Sequence, residues 1–145
     1  MKKFLSFLAL FLFFSACGIE SSPLPRTKIH LAGSTFQVEL ARDRTEQTKG
    51  LSGRASLAVD EGMLFVYADK QPLRFWMKEM LFPIDLLWID GKTIVGFEEN
   101  LPNPVPNTKD EDLTSFNSPQ AVDKVLELPA GTVQRLKIQI GDQIN

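Results

Sequence analysis

Ile84-Asp85-Leu86-Leu87-Trp88-Ile89-Asp90-Gly91-Lys92-Thr93-Ile94-Val95-Gly96-Phe97-Glu98 is the stretch that decides the fold. Two apolar runs flank an Asp-Gly pair, the strongest short-range signal for a hairpin with a two-residue turn. The pattern recurs on both sides. Gly62-Met63-Leu64-Phe65-Val66-Tyr67 is a continuous apolar run between turn residues, as in a strand buried on both faces. Leu73 to Lys78 and Lys124 to Leu128 are further strand candidates. Near the start, Phe36-Gln37-Val38-Glu39-Leu40 alternates apolar and polar residues, as a half-buried strand does. Gly33 turns it into a hairpin with Lys28 to Leu31. Many short strands with turns between them predict an all-β sandwich or barrel-like fold with one or two short helices. The helices fall at Asp43-Arg44-Thr45-Glu46, which fits a capping box with a stop at Gly50, and at Thr132 to Leu136.

The N-terminus reads differently. Lys2 and Lys3 precede an uncharged apolar run from Phe4 to Phe14, too short to span a bilayer. Small residues then lead to Cys17, the only cysteine. A basic start, an apolar stretch and a small-residue end describe an export signal. Ser15-Ala16-Cys17 resembles the lipobox of bacterial lipoproteins, with Phe14 where Leu is usual. The resemblance implies cleavage before Cys17 and acylation of its thiol. Gly18 follows instead of the Asp that marks inner-membrane retention. The expectation is therefore a cell-envelope protein that faces the periplasm, anchored in the outer membrane in preference to the inner. The organisation is a signal peptide over 1–16, a flexible tether over 17–26 and a single domain over 27–145.

The full chain of 145 residues has a formal net charge of −2, and losing Lys2 and Lys3 makes it more acidic. Such a surface does not attract a phosphate backbone, so nucleic acid is not an expected partner. The expected partners are the membrane, through the anchor, and a small molecule or envelope protein. One cysteine excludes an intrachain disulfide. A single histidine, His30, and the lack of a glycine-rich phosphate loop remove most catalytic templates and leave no cofactor to expect. Asp110-Glu111-Asp112, in the proline-rich stretch from Asn100 to Ser118, lacks the ligand spacing of a calcium loop and reads as solvated.

Charges set in apolar surroundings are the remaining signal. Asp85 stands among Ile84, Leu86 and Leu87. Arg54 follows the first helix, Trp76 and Lys78 belong to one aromatic segment, and Glu98 ends a strand. A charge drawn from water must be paired or hydrogen-bonded. Asp85 is expected to be buried, with Arg54 or Lys78 as partner. Two readings stand: a structural ion pair, or a polar pocket walled by Trp76. In function these become a binding or accessory module, a hydrolase or lyase of envelope glycans using Asp85 and Glu98 as acid and base, or a structural interaction protein.

Gly50-Leu51 with Arg54, Gly62-Met63-Leu64-Phe65, Phe75-Trp76-Met77-Lys78, Pro83-Ile84-Asp85 with Ile89-Asp90, Val125-Leu126-Glu127-Leu128, Ala130-Gly131 and Gly141-Asp142 follow one another in an order and spacing that resembles the domain of unknown function 192 family. The resemblance implies a compact β-sandwich-like domain, frequent in exported proteins, and no established activity. Ser52 stands where Met is usual, and Glu79-Met80 replaces a common Asn-Thr. Leu113 to Phe116 occupies a loop that carries a Cys pair and a Tyr in many members.

Cys17→Ser is expected to abolish incorporation of a palmitate analogue and to release the protein from membranes or leave it unprocessed. Labelling that persists in the variant overturns the anchor.

Overall fold

The computed structural model describes residues 23–145. The expected signal peptide, Cys17 and most of the expected tether lie outside the described residues. Eight strands and two short helices follow in order: β1 (Arg26–Leu31), β2 (Ser34–Ala41), α1 (Arg44–Lys49), β3 (Glu61–Gln71), β4 (Arg74–Trp76), β5 (Ile84–Asp90), β6 (Thr93–Leu101), β7 (Ser115–Asn117), β8 (Val122–Pro129) and α2 (Thr132–Leu136). The all-β expectation holds, with six strands in one mixed sheet ordered β1-β2-β3-β8-β5-β6 and a two-stranded β4-β7 ribbon. β2 and β3 run parallel, joined through α1, and the other pairs are antiparallel.

The local chemistry sets these elements. Ala32 and Gly33 between β1 and β2 both have positive φ, the requirement of a tight hairpin turn whose twist matches its strands. In α1 both halves of the capping box form: Asp43 Oδ1 accepts from the Glu46 amide at 2.9 Å, and Glu46 Oε2 accepts from the Asp43 amide at 3.1 Å. A Cβ on Gly62 would lie 2.8 Å from the Glu127 carbonyl oxygen, so only glycine lets β3 pack against β8 there. Two boundaries differ from expectation. The turn after β5 is Gly91-Lys92 and not Asp90-Gly91, because Asp90 stays in register opposite Thr93 and pairs with Lys70. The chain also joins the fold before residue 27. Arg26 already pairs in β1, the Pro25 carbonyl accepts from the Leu40 amide at 2.8 Å, and Leu24 packs on the core.

Both faces of the sheet are covered. One buries Leu31, Phe36, Val38, Leu64, Leu87, Ile89, Leu126 and Leu128 beneath Val133, Ile138 and Ile144. Residues 141–145 then bridge the two sheet edges. Ile94 and Lys92 at β6 bond to Gly141, Asp142 and Ile144, while His30 in β1 exchanges two backbone bonds with Asn145, at 2.8 and 3.1 Å. This makes the sheet barrel-like at that end. The other face buries Met63, Phe65, Leu86, Trp88 and Val125 beneath Leu73, Met77 and Met80. Phe75 stands edge-on to both Phe65 and Trp88, with ring centroids 5.0 and 5.7 Å apart.

Asp85 is fully buried, but neither Arg54 nor Lys78 is its partner. Its carboxylate accepts from the backbone amides of Asn100 (2.8 Å), Gly131 (3.1 Å) and Val133 (2.7 Å). The physical reason is the face on which it lies. Position 85 shares the side of Leu87 and Ile89, toward α2, whereas Arg54 works on the opposite side. Gly131, at the start of α2, has no side-chain cap of its own, and Asp85 supplies one from a different strand.

Asp85→Ala is expected to cost about 3 kcal/mol or more, since each buried amide left without an acceptor costs about 1–3 kcal/mol. Asp85→Asn, keeping one acceptor oxygen, should cost roughly half as much, and neither effect should change in an Arg54→Met background. Chemical denaturation measures both; a loss under about 0.5 kcal/mol, the scale of an inert surface change, refutes the capping role.

Candidate functional site

Beside β3, α1 and β4 wall a cavity of about 260 Å³. Gln47 in α1 donates to the Val66 carbonyl at 2.9 Å and holds the helix against β3. After the helix, Ser52 Oγ donates to the Lys78 carbonyl at 2.8 Å and the Gly53 amide to the Glu79 carbonyl at 2.8 Å, so the turn is tied to the segment that follows β4. Phe65 and Tyr67 of β3, with Phe75 and Trp76 of β4, supply aromatic walls, and Glu127 of β8 lines the buried side.

Glu127 is 6% exposed, and its Oε2 has no hydrogen-bond partner. In register it lies between Met63 and Leu86, and β8 is flanked by β3 and β5, so water does not reach it from the sheet. Burial pushes its carboxyl up to about 8, against a smaller opposing pull from the Arg54 charge. At neutral pH Glu127 is thus mainly a carboxylic acid with a proton to donate. Burial, helped by the nearby Glu127, also pushes the Tyr67 hydroxyl up to about 12.

Arg54 does not neutralise Glu127 because it is committed elsewhere. It grips Glu39 with two bonds, Nη1 to Oε1 at 3.1 Å and Nη2 to Oε2 at 2.5 Å. Arg26 adds a bond to Glu39 at 2.8 Å and one to Glu61 at 3.0 Å. The Arg54 hydrogen bond, with Arg26 in support, holds Glu39 below the usual carboxylate range despite its burial. Around the cavity mouth stand Arg44, Lys49 and Arg74, none of which forms an ion pair among the described residues.

The residues singled out in the sequence scatter. Trp76, 48% exposed, stands at the cavity mouth. Lys78 lines an adjoining groove and pairs with Asp110 at 2.5 Å. Arg54 lies behind the cavity on Glu39, and Asp85 is on the far side of the sheet. Glu98 is half-buried opposite Leu86, so it shares the cavity face while Asp85 faces away. The two carboxyls therefore do not converge as an acid and base. Glu127, Tyr67 and Glu39 were not among the site residues the sequence singles out. Glu127 carried the same signal as Asp85, a lone acid in an apolar strand. Among the described residues no group of three or more metal-ligating side chains converges, and no helix is long and apolar enough to cross a membrane.

The chain is a small, mostly β domain with a mixed six-stranded sheet and a cavity on one of its faces. The chain belongs to the DUF192 family, a family described as uncharacterized, whose model matches residues 27–145. Two solved structures are similar over most of their length. One is a protein of Sinorhizobium meliloti 1021 named as a candidate transcription regulator: 34% identity, TM-score 0.75, covering 86% of this chain and 96% of that one. The other is a protein of unknown function from Novosphingobium aromaticivorans DSM 12444: 26% identity, TM-score 0.75, covering 87% and 94%. No curated protein matched the chain.

Glu127 gives the fold a pH dependence of definite sign. Unfolded, the group releases its proton near 4.5; folded, near 8. Between these values the folded state binds a proton that the unfolded state has lost, so raising pH through the window destabilises the protein. Glu39 acts in the opposite sense, its contribution being lost as pH falls below 4.5. Glu127→Gln is expected to remove the decline between pH 4.5 and 8 and to raise Tm at the upper end. Parallel slopes for the two proteins would refute the buried-acid assignment.

Proposed function

We propose that this protein is a lipid-anchored binding module of the bacterial cell envelope that holds a small molecule in the cavity lined by Glu127. The observation that carries the binding reading is the unpartnered, buried carboxyl at that cavity. A buried polar atom without a partner is costly, and it is retained where a ligand supplies the partner. Aromatic walls are a usual lining of such sites, and here Arg44, Gln47, Lys49 and Arg74 add polar groups to them. The anchor rests on Lys2-Lys3, the apolar run and Cys17; on the same grounds the domain faces the periplasm, and Gly18 in place of Asp favours the outer membrane over the inner.

Binding is favoured over hydrolysis because carboxylate catalysis needs two acids in one cleft, and Glu127 is the only acid among the cavity-lining residues. The regulator designation of the Sinorhizobium protein does not carry over, since an acidic, exported chain makes a poor partner for DNA.

The full-length protein in detergent micelles, screened by thermal shift against envelope small molecules, should show ligands that raise Tm. Trp76→Ala should leave the unliganded Tm within a degree or two, because the side chain is half exposed. It should weaken any such ligand by about tenfold, the scale of one aromatic contact. A ligand whose affinity ignores both Trp76 and Glu127 refutes the site.

A further inference from the structure

The cavity is built for one kind of molecule. An apolar cavity of about 150 Å³ accepts a benzene ring. At about 260 Å³ this one has room for a single ring with a substituent. Its walls include the rings of Phe65, Tyr67, Phe75 and Trp76, which favour a flat body over a branched chain. Its lining includes Arg44 from α1 and Arg74 from β4. Both side chains are exposed, and neither meets a carboxylate among the described residues. This local positive charge stands out on an acidic chain. A guanidinium grips a carboxylate or phosphate by two parallel bonds, so two arginines lining one cavity suit an anion and repel a cation. At the buried side Glu127 lines the cavity, and its carboxyl makes no hydrogen bond among the described residues.

Building on the binding reading above, we infer that the ligand is a small organic anion with one flat ring, its carboxylate or phosphate held by Arg44 and Arg74 and its ring enclosed by the aromatic walls. Glu127 donates a hydrogen bond to a polar atom at the ring's inner end. No covalent step is involved.

The test uses the full-length protein in detergent micelles and four probes of similar size: 4-hydroxybenzoate, phenyl phosphate, benzamide and benzylamine. Titration calorimetry should find the two anions at least tenfold tighter than benzamide, with that advantage shrinking as salt is raised. Arg44→Gln with Arg74→Gln should bring 4-hydroxybenzoate down to the level of benzamide; both sites are exposed, and an unchanged Tm shows the fold intact. Glu127→Gln, which still donates a hydrogen bond, should keep most of the affinity for 4-hydroxybenzoate, while Glu127→Leu should lose about tenfold. Benzylamine as the tightest probe overturns the anion assignment and leaves the cavity as a binding site. Equal affinity for benzamide and the anions does the same. If none of the four binds while the thermal-shift screen finds a ligand sensitive to Glu127, the ring-anion class is wrong. If neither the probes nor the screen find a ligand, the binding reading itself falls.

Discussion

The two bonds between Arg54 and Glu39 set the base on which the cavity walls stand. Arg54 belongs to the turn after α1, Glu39 to β2, and Arg26 ties β1 and Glu61 of β3 into the same cluster. That turn in turn holds the segment after β4 through Ser52 and Gly53. The cavity walls therefore stand where they do because a partly buried ion cluster sets their base. Breaking one member would leave a charge uncompensated, the costly way to disrupt such a pair. The same commitment leaves Glu127 without a counter-ion. One arginine between two buried glutamates satisfies the nearer, and the other stays protonated.

Much of the architecture was legible from local chemistry. The Asp43–Glu46 capping box, the Gly33 hairpin and the apolar runs of β3, β5 and β8 are set by neighbours within a few residues, and each formed. The site was less legible, for a physical reason. Asp85 and Glu127 look alike in sequence, single acids in apolar strands. What separates them is the face each presents and what the fold brings there. At Asp85 the start of α2, nearly fifty residues away, arrives with backbone amides. At Glu127 nothing arrives. Glu39 misled in the other direction, since strict alternation placed it toward water, while a turn after the helix covered it with Arg54. Pairing across the sheet decides these cases, and strand order was not encoded in any single segment.

Asp85 and Glu127 also show two uses of a buried carboxyl in one small sheet. Three amides make Asp85 a fixed joint between β5, the end of β6 and α2. The unpaired Glu127 costs stability as pH rises, and a protein keeps such a cost most readily where the group has work to do. Their roles were assigned by opposite faces of one sheet, with the interior that holds the fold together on one side and the walled cavity on the other.

The closure made by residues 141–145 also has a bearing on biogenesis. A chain is made from its N-terminus, and the β1–β2 hairpin can form early, but its free edge finds its partner only when His30 meets Asn145. Until then the ring is open and the interior beneath Ile144 is uncovered. A nascent chain of this kind locks into its final shape only once residues 141–145 have emerged and bridged the two edges.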